Sequence, residues 1–195
     1  MYIFADDILK RYTNSFCLLD EDTICGVDKF ENLFVIRVPA GTEEDCEDDP
    51  TASKFKYECG FLNGAATKME SINQYFIGEV GTVVQKVTNA KGIELIYSAS
   101  TMGGISAFLP FETKDELDFF THLEMFMRIE AQPIAGRDHV SFRSSYAPVK
   151  DVVDGDLCET FTSLDFVKQK TLAEELDRNP QEVCKKLEQI RSKLL

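Results

Sequence analysis

The sequence predicts a mixed fold, β-rich over residues 1–111 and helical over residues 112–195. Three observations carry this expectation. Short apolar runs punctuated by turn residues fill the first part, as in successive hairpins. After Phe111 the apolar spacing changes from alternation to the helical repeat. Within the first part, ICGVDKFENLFVIRVP and IYSASTMGGISAFLPF share one plan: apolar strand, polar or glycine turn, then a strongly apolar strand closed by proline. Proline ends each strand because it cannot donate to a continuing ladder.

The candidate strands are 14–19, 23–27, 33–38, 72–77, 80–87, 94–100 and 105–109. Turns are expected at 20–22, 28–32, 89–92 and at Gly103-Gly104. Meandering strands of this kind build barrels, sandwiches or propeller blades, and two corresponding motifs fit two blades of a repeat fold. Between the two units lies the acidic stretch 43–54, in which six of the seven residues from Glu43 to Asp49 are acidic. With nothing apolar to bury, it is expected to be a solvated loop, or else a docking site for a basic peptide.

The helical part opens on a capping box, Thr113 with Glu116, ahead of a stripe at Phe119, Phe120, Leu123, Phe126 and Met127. That helix should stop by Gln132, before Pro133 and Gly136. Shorter helices are expected over 152–161 and 172–178. At the end, Asn179, Pro180 and Glu182 supply an N-cap, a first-position proline and a third-position glutamate. Val183, Leu187, Ile190 and Leu194 then line one face of a terminal helix.

A formal net charge of −13 disfavours binding driven by phosphate neutralisation, and disfavours anionic membranes. The acidic start MYIFADDILKR lacks the apolar core of a signal peptide, and no apolar run approaches a membrane span. Six dispersed cysteines, with no C-x-x-C pair and only two histidines, read as reduced thiols in a reducing compartment rather than as a zinc site. Two blades cannot close a propeller and would leave unpaired edges. The sequence is therefore expected to form part of something larger or to close against a partner. Alone, it should be partly unfolded or self-associating.

Catalytic motifs are absent from the sequence: no G-x-S-x-G, no phosphate loop and no G-x-G-x-x-G. Asp138, His139 and Ser141 have the residue types of a hydrolytic triad, but side chains so close in sequence usually point apart. A salt-bridged or backbone-bonded turn is the expectation there. Asp154-Gly155-Asp156 fails as a calcium loop, since its fifth and twelfth positions are Cys158 and Asp165, and reads as a helix cap. The stretch 137–150 carries Arg137, Arg143 and Lys150 with Phe142 and Tyr146 interleaved. It is read as an extended segment packing on its own chain or on a protein; RNA contact through stacking and phosphate pairing is the other reading.

The run GRDHVSFRSSYAPVKDVVDGDLCETF, followed by KQK and EELDRNPQEVCKKLEQIR, closely resembles the C-terminal part of the splicing factor 3B subunit 3 family. FADD, LLDEDTICGVDKFENLFVIRVP, DPTASK, LNGA and GGISAFLPF match the same pattern in order. Asp154-Gly155-Asp156-Leu157 is shared more widely, with the large damaged-DNA-binding and the large cleavage and polyadenylation specificity subunits. Ser145-Tyr146-Ala147 and the Leu194-Leu195 ending depart from the family's aromatics. The resemblance implies the last blades of a seven-bladed β-propeller followed by a small helical C-terminal domain. It also implies a non-catalytic scaffold in the nucleus, within the splicing factor 3B complex of the U2 small nuclear ribonucleoprotein, supporting branch-site recognition. Its partners would be a HEAT-repeat subunit and small accessory subunits. RNA contact would be indirect or weak, with no cofactor, metal, membrane or small-molecule substrate. The alternatives are a scaffold of a cullin ubiquitin ligase or polyadenylation complex and, remotely, a small hydrolase using Asp138, His139 and Ser141. Arg137, His139, Phe142 and Arg143 are the candidate interface residues.

Overall fold

Asp28 shows how the first hairpin is made. Its buried carboxylate accepts hydrogen bonds from the Phe30 and Asn32 amides, both at 2.9 Å, and Glu31 takes a left-handed backbone at φ 70°. That turn joins β3 (Thr23–Asp28) to β4 (Asn32–Arg37). The computed structural model describes residues 3–48, 64–65, 67–131, 133 and 135–194. With β2 (Thr13–Leu18) and β6 (Glu70–Phe76), these strands form an antiparallel sheet in the order β2-β3-β4-β6. A second antiparallel sheet contains β7 (Gly81–Thr88), β8 (Glu94–Ser100) and β9 (Ile105–Phe108). The two corresponding sequence motifs are thus the hairpins β3–β4 and β8–β9. Gly103, at φ 91°, turns the second.

The sheets share a core of Cys25, Val27, Leu33, Val35 and Val84. Gly81 lets them approach: a Cβ there would lie 2.6 Å from Val27 Cβ, which a real side chain cannot do. Asn14 Nδ2 donates to the Gly81 carbonyl at 3.0 Å and Lys86 Nζ to that of Leu19 at 2.6 Å, closing the interface at its polar margin. Cys17 and Cys25 stand opposite each other across β2 and β3 as free thiols, and burial pushes Cys25 up to about 12.

Two features depart from the sequence reading of this part. The acidic stretch 43–54 is not wholly a loop: Thr42–Asp48 forms a helix, α1. Its acids begin in the first turn, where the positive end of the helix dipole favours them, and Thr42 is buried with its hydroxyl donating to the Pro39 carbonyl at 2.7 Å. Residues 49–54 lie outside the described residues. So do Cys59 and Gln132, on which other expectations fell. Ile3 and Phe4 have no regular structure and precede a two-residue strand that the expected strands did not include, β1 (Ala5–Asp6), which pairs in parallel with β5 (Thr67–Lys68).

The helices gather around a separate core. Thr113 Oγ1 accepts from the Glu116 amide at 3.2 Å and starts α2 (Lys114–Glu130), which buries Phe119, Phe120, Leu123 and Met127. After it come α3 (His139–Phe142), α4 (Gly155–Glu159), a 3-10 turn (Thr160–Ser163), α5 (Phe166–Glu175) and α6 (Pro180–Leu194). Leu157, Phe161, Leu172, Val183 and Leu187 complete the core. The helix expected over 152–161 starts only at Gly155, because Asp154 caps it, and its last turn tightens to 3-10. The one expected over 172–178 runs earlier. Asp177, at φ 54°, ends it, with the Arg178 amide reaching the Ala173 carbonyl at 2.8 Å and that of Asp177 the Glu174 carbonyl at 3.1 Å. At α6, Glu182 reaches back to the Asn179 amide at 3.3 Å as its sequence position required. The end of α6 meets the β7–β8 hairpin, where Asn89 Nδ2 donates to the Lys193 carbonyl at 2.7 Å. Among the described residues no helix is long and apolar enough to cross a membrane.

Candidate functional site

The outer edge of β6 offers unpaired backbone groups, and the chain itself covers them. The Gln74 amide donates to the Lys150 carbonyl at 3.1 Å, and the Lys150 amide returns the bond at 2.9 Å. The Phe76 amide donates to the Arg143 carbonyl at 3.1 Å. Asn73 Nδ2 reaches the Asp151 carbonyl and Lys150 Nζ that of Ser71, both at 2.6 Å. Pro148 has no amide to contribute, and Ser144 Oγ instead accepts from the Val149 amide at 2.9 Å. Residues 137–150 are therefore not extended throughout. They make one helical turn, α3, and then run along β6 on their own chain.

Arg143 is the strut of this junction. Its Nε donates to Asp154 Oδ2 at 2.8 Å, and its guanidinium lies 5.1 Å from the Tyr75 ring centre. Asp154 is only 5% exposed. Its other oxygen accepts from the Leu157 amide at 3.2 Å, starting α4, and its own amide donates to Glu124 Oε1 at 2.9 Å. One residue thus ties the β6 edge and α4 through its carboxylate and α2 through its amide. Burial, and then the charge of Asp154, push the Tyr75 phenol up, so it stays protonated.

Burial also raises the Glu124 carboxyl, against the stabilising amide of Asp154. An acid whose folded pKa is raised contributes stability below its unfolded value of 4.5 and loses it as pH rises through the folded value. Glu124→Gln keeps an oxygen for the Asp154 amide and removes the charge. Thermal melts of both proteins should show the variant gaining on the wild type as pH rises from 4.5 toward neutrality. A constant difference across that window would mean that Glu124 carries no buried charge.

The other three candidate interface residues do not converge with Arg143. Arg137 and Phe142 are exposed. His139 Nε2 donates to the Ala131 carbonyl at 2.6 Å, capping the end of α2. Asp138 pairs with Arg128 at 2.9 Å, and the Ser141 amide donates to the Asp138 carbonyl at 2.9 Å. The Asp138 carboxylate and the His139 ring are thus engaged with Arg128 and Ala131 rather than with each other. A turn braced by a salt bridge and a backbone bond is what the sequence reading expected.

Sequence reasoning missed a cluster beside the junction. Tyr12 and Phe30 meet edge to face at 5.5 Å, and Phe30 stacks on Tyr146 at 5.8 Å and 25°. The Lys29 ammonium sits 3.9 Å above the Tyr12 ring. Tyr146 occupies the middle of a γ-turn, at φ 66° with the Ala147 amide bonded to the Ser145 carbonyl at 2.7 Å. That conformation costs a bulky residue about 1–3 kcal/mol. The pairing of Phe142 and Tyr146 with nearby cations is the signal in the sequence: it includes Tyr146, although of the two rings only Phe142 is among the candidate interface residues.

Residues 1–163 match the family described as CPSF A subunit region. The chain belongs to that family, on its splicing factor 3B subunit 3 branch. It is 50% identical over 194 residues to splicing factor 3B subunit 3 of Danio rerio, covering 99% of this chain and 16% of that protein. To the probable splicing factor 3B subunit 3 of Dictyostelium discoideum it is 46% identical over 196 residues, covering 100% of this chain and 16% of the relative. Identity to pre-mRNA-splicing factor RSE1 of Mycosarcoma maydis is 41% over 189 residues, 96% of this chain and 16% of that one. Membership of the splicing factor 3B subunit 3 family gives the two hairpin motifs and the junction segment a common source: each lies within the aligned length, which spans only 16% of these relatives.

Proposed function

We propose that this chain is a non-catalytic scaffold element of pre-mRNA splicing, acting in the nucleus within the splicing factor 3B complex of the U2 small nuclear ribonucleoprotein. Residues 1–111 would supply the last blades of a seven-bladed propeller, and residues 112–195 a helical domain packed beside them. Its partners would be a HEAT-repeat subunit and small accessory subunits, and its contribution to branch-site recognition would be positional. The observation that carries the reading is 50% identity over 99% of the chain to a protein named for that complex. The junction supports it mechanically: a blade-like sheet edge, a helix cap and a buried ion pair fix the two parts against each other, as a scaffold requires. Arg137 and Phe142, both exposed on the segment that leads into that junction, are the first of the candidate interface positions to substitute.

The test is affinity capture of the tagged protein from nuclear extract, with partners identified by mass spectrometry and RNA by sequencing. Recovery of a HEAT-repeat splicing subunit with U2 RNA is expected. Recovery of cullin or polyadenylation components in their place would overturn the assignment while leaving the fold intact.

A further inference from the structure

The aromatic cluster beside the junction has no internal reason to be as it is. Tyr146 is 63% exposed, Tyr12 56% and Phe30 40%, so burial does not offset the left-handed backbone at Tyr146. The three rings come from three separate segments: the approach to β2, the β3–β4 turn and the strip along β6. They are nonetheless braced. The Lys29 amide donates to the Tyr12 carbonyl at 3.0 Å, and the Tyr146 hydroxyl donates to the Lys10 carbonyl at 3.3 Å. A strained, exposed tyrosine held in a fixed stack is the arrangement expected of a preformed contact surface.

Its charge narrows the partner. Lys10, whose carbonyl holds the Tyr146 hydroxyl, and Lys29, over the Tyr12 ring, are both exposed beside the cluster. Of the neighbouring carboxylates, Asp28 is buried under the turn amides and Asp154 is paired with Arg143. Glu31, next to Phe30, remains, so the two lysines outnumber the free acid at the rings in a chain whose net charge is −13. Lys29 already occupies the face of Tyr12, which disfavours a second cation such as an arginine or lysine of a peptide. An unpaired base satisfies both features, with its π face on a ring and its phosphate near the lysines.

We infer that Tyr146, stacked on Phe30 and flanked by Lys29, is a stacking platform for single-stranded RNA. The choice of RNA over DNA rests on the splicing reading above; the stacking itself does not. The platform holds about one base, so affinity is modest and salt-dependent.

The test uses fluorescence anisotropy of a short labelled oligouridylate at low ionic strength, with ultraviolet crosslinking and peptide mapping on the same samples. The wild type should bind, and the crosslink should fall on Tyr146 or Phe30. Tyr146→Gly removes the ring and suits the positive φ, so its melting midpoint should equal or exceed that of the wild type while binding weakens by roughly tenfold. Lys29→Glu should weaken binding too and flatten its salt dependence. Equal binding by folded Tyr146→Gly, no binding by the wild type, or crosslinks that map elsewhere would each overturn the proposal. Binding of the matching oligothymidylate with none of the RNA would overturn the RNA assignment. Loss of a captured protein partner in Tyr146→Gly, with no RNA crosslink, would overturn it in favour of a protein contact. Because the assay needs only purified protein, its outcome is independent of which complex the capture experiment recovers.

Discussion

Asp154→Ala is expected to destabilise the protein by about 3–5 kcal/mol, the cost of removing one partner from a buried ion pair. For a chain of this size that lowers the melting midpoint by about 10 °C. Three losses coincide at this residue. Arg143 keeps its charge over the Tyr75 ring without a counter-ion. The Leu157 amide loses its cap, and the Glu124 side chain faces a backbone that is no longer held in place. Arg143→Ala should cost a comparable amount: Asp154 would keep the Leu157 amide, but its buried carboxylate would lose its counter-ion. The double variant separates the strut from the cap. A coupling energy of about 0.5–3 kcal/mol between the two positions is expected. Strict additivity would mean that the pair is spectator geometry. Hydrogen exchange provides a second readout: the Gln74 and Phe76 amides, bonded to Lys150 and Arg143, should lose protection in Asp154→Ala before the amides of β3 do.

Phe161→Ala should be as damaging, by about 3–5 kcal/mol, for a different reason. Phe161 is fully buried in the last tight turn before α5, in the core that α2, α4, α5 and α6 share. Removing the ring leaves a void that helices anchored at both ends cannot close. Phe161→Leu keeps most of the volume and should cost less than half as much. Chemical denaturation followed by far-ultraviolet circular dichroism would measure both. Similar midpoints for Phe161→Ala and the wild type would show that the helices do not depend on this core.

The elements that could be read in the sequence are those whose signals are local. The β3–β4 and β8–β9 hairpins announce themselves by apolar runs, a turn and a closing proline. Capping residues and stripes locate α2 and α6. The misses share the opposite property. The α1 helix hides in its charge: the acids repel one another along the chain, and the helix dipole that offsets this exists only once the helix forms. The start of α5 carries Phe166 and Val167 exposed, which breaks the apolar period that Leu172 resumes. Two-residue strands such as β1 and β5 have no pattern to find, since a partner 62 residues away creates them. At the junction, Arg143 reads as a candidate interface residue because nothing linear reveals that Asp154 is buried beside it. The ring of Tyr146 is visible in the sequence, but its contacts with Lys10 and Phe30 lie over a hundred residues upstream.

The strip along β6 also dictates an order of assembly on the ribosome. Asn73 and the Asp151 carbonyl it bonds are 78 residues apart, so β6 leaves the ribosome well before the segment that will cover it. Until then its edge is open to any passing strand, including that of a neighbouring nascent chain. Closing so long a loop makes the step slow relative to hairpin formation. The β6 edge is therefore the part of this sheet left open to mispairing until residues 143–151 have emerged to cover it.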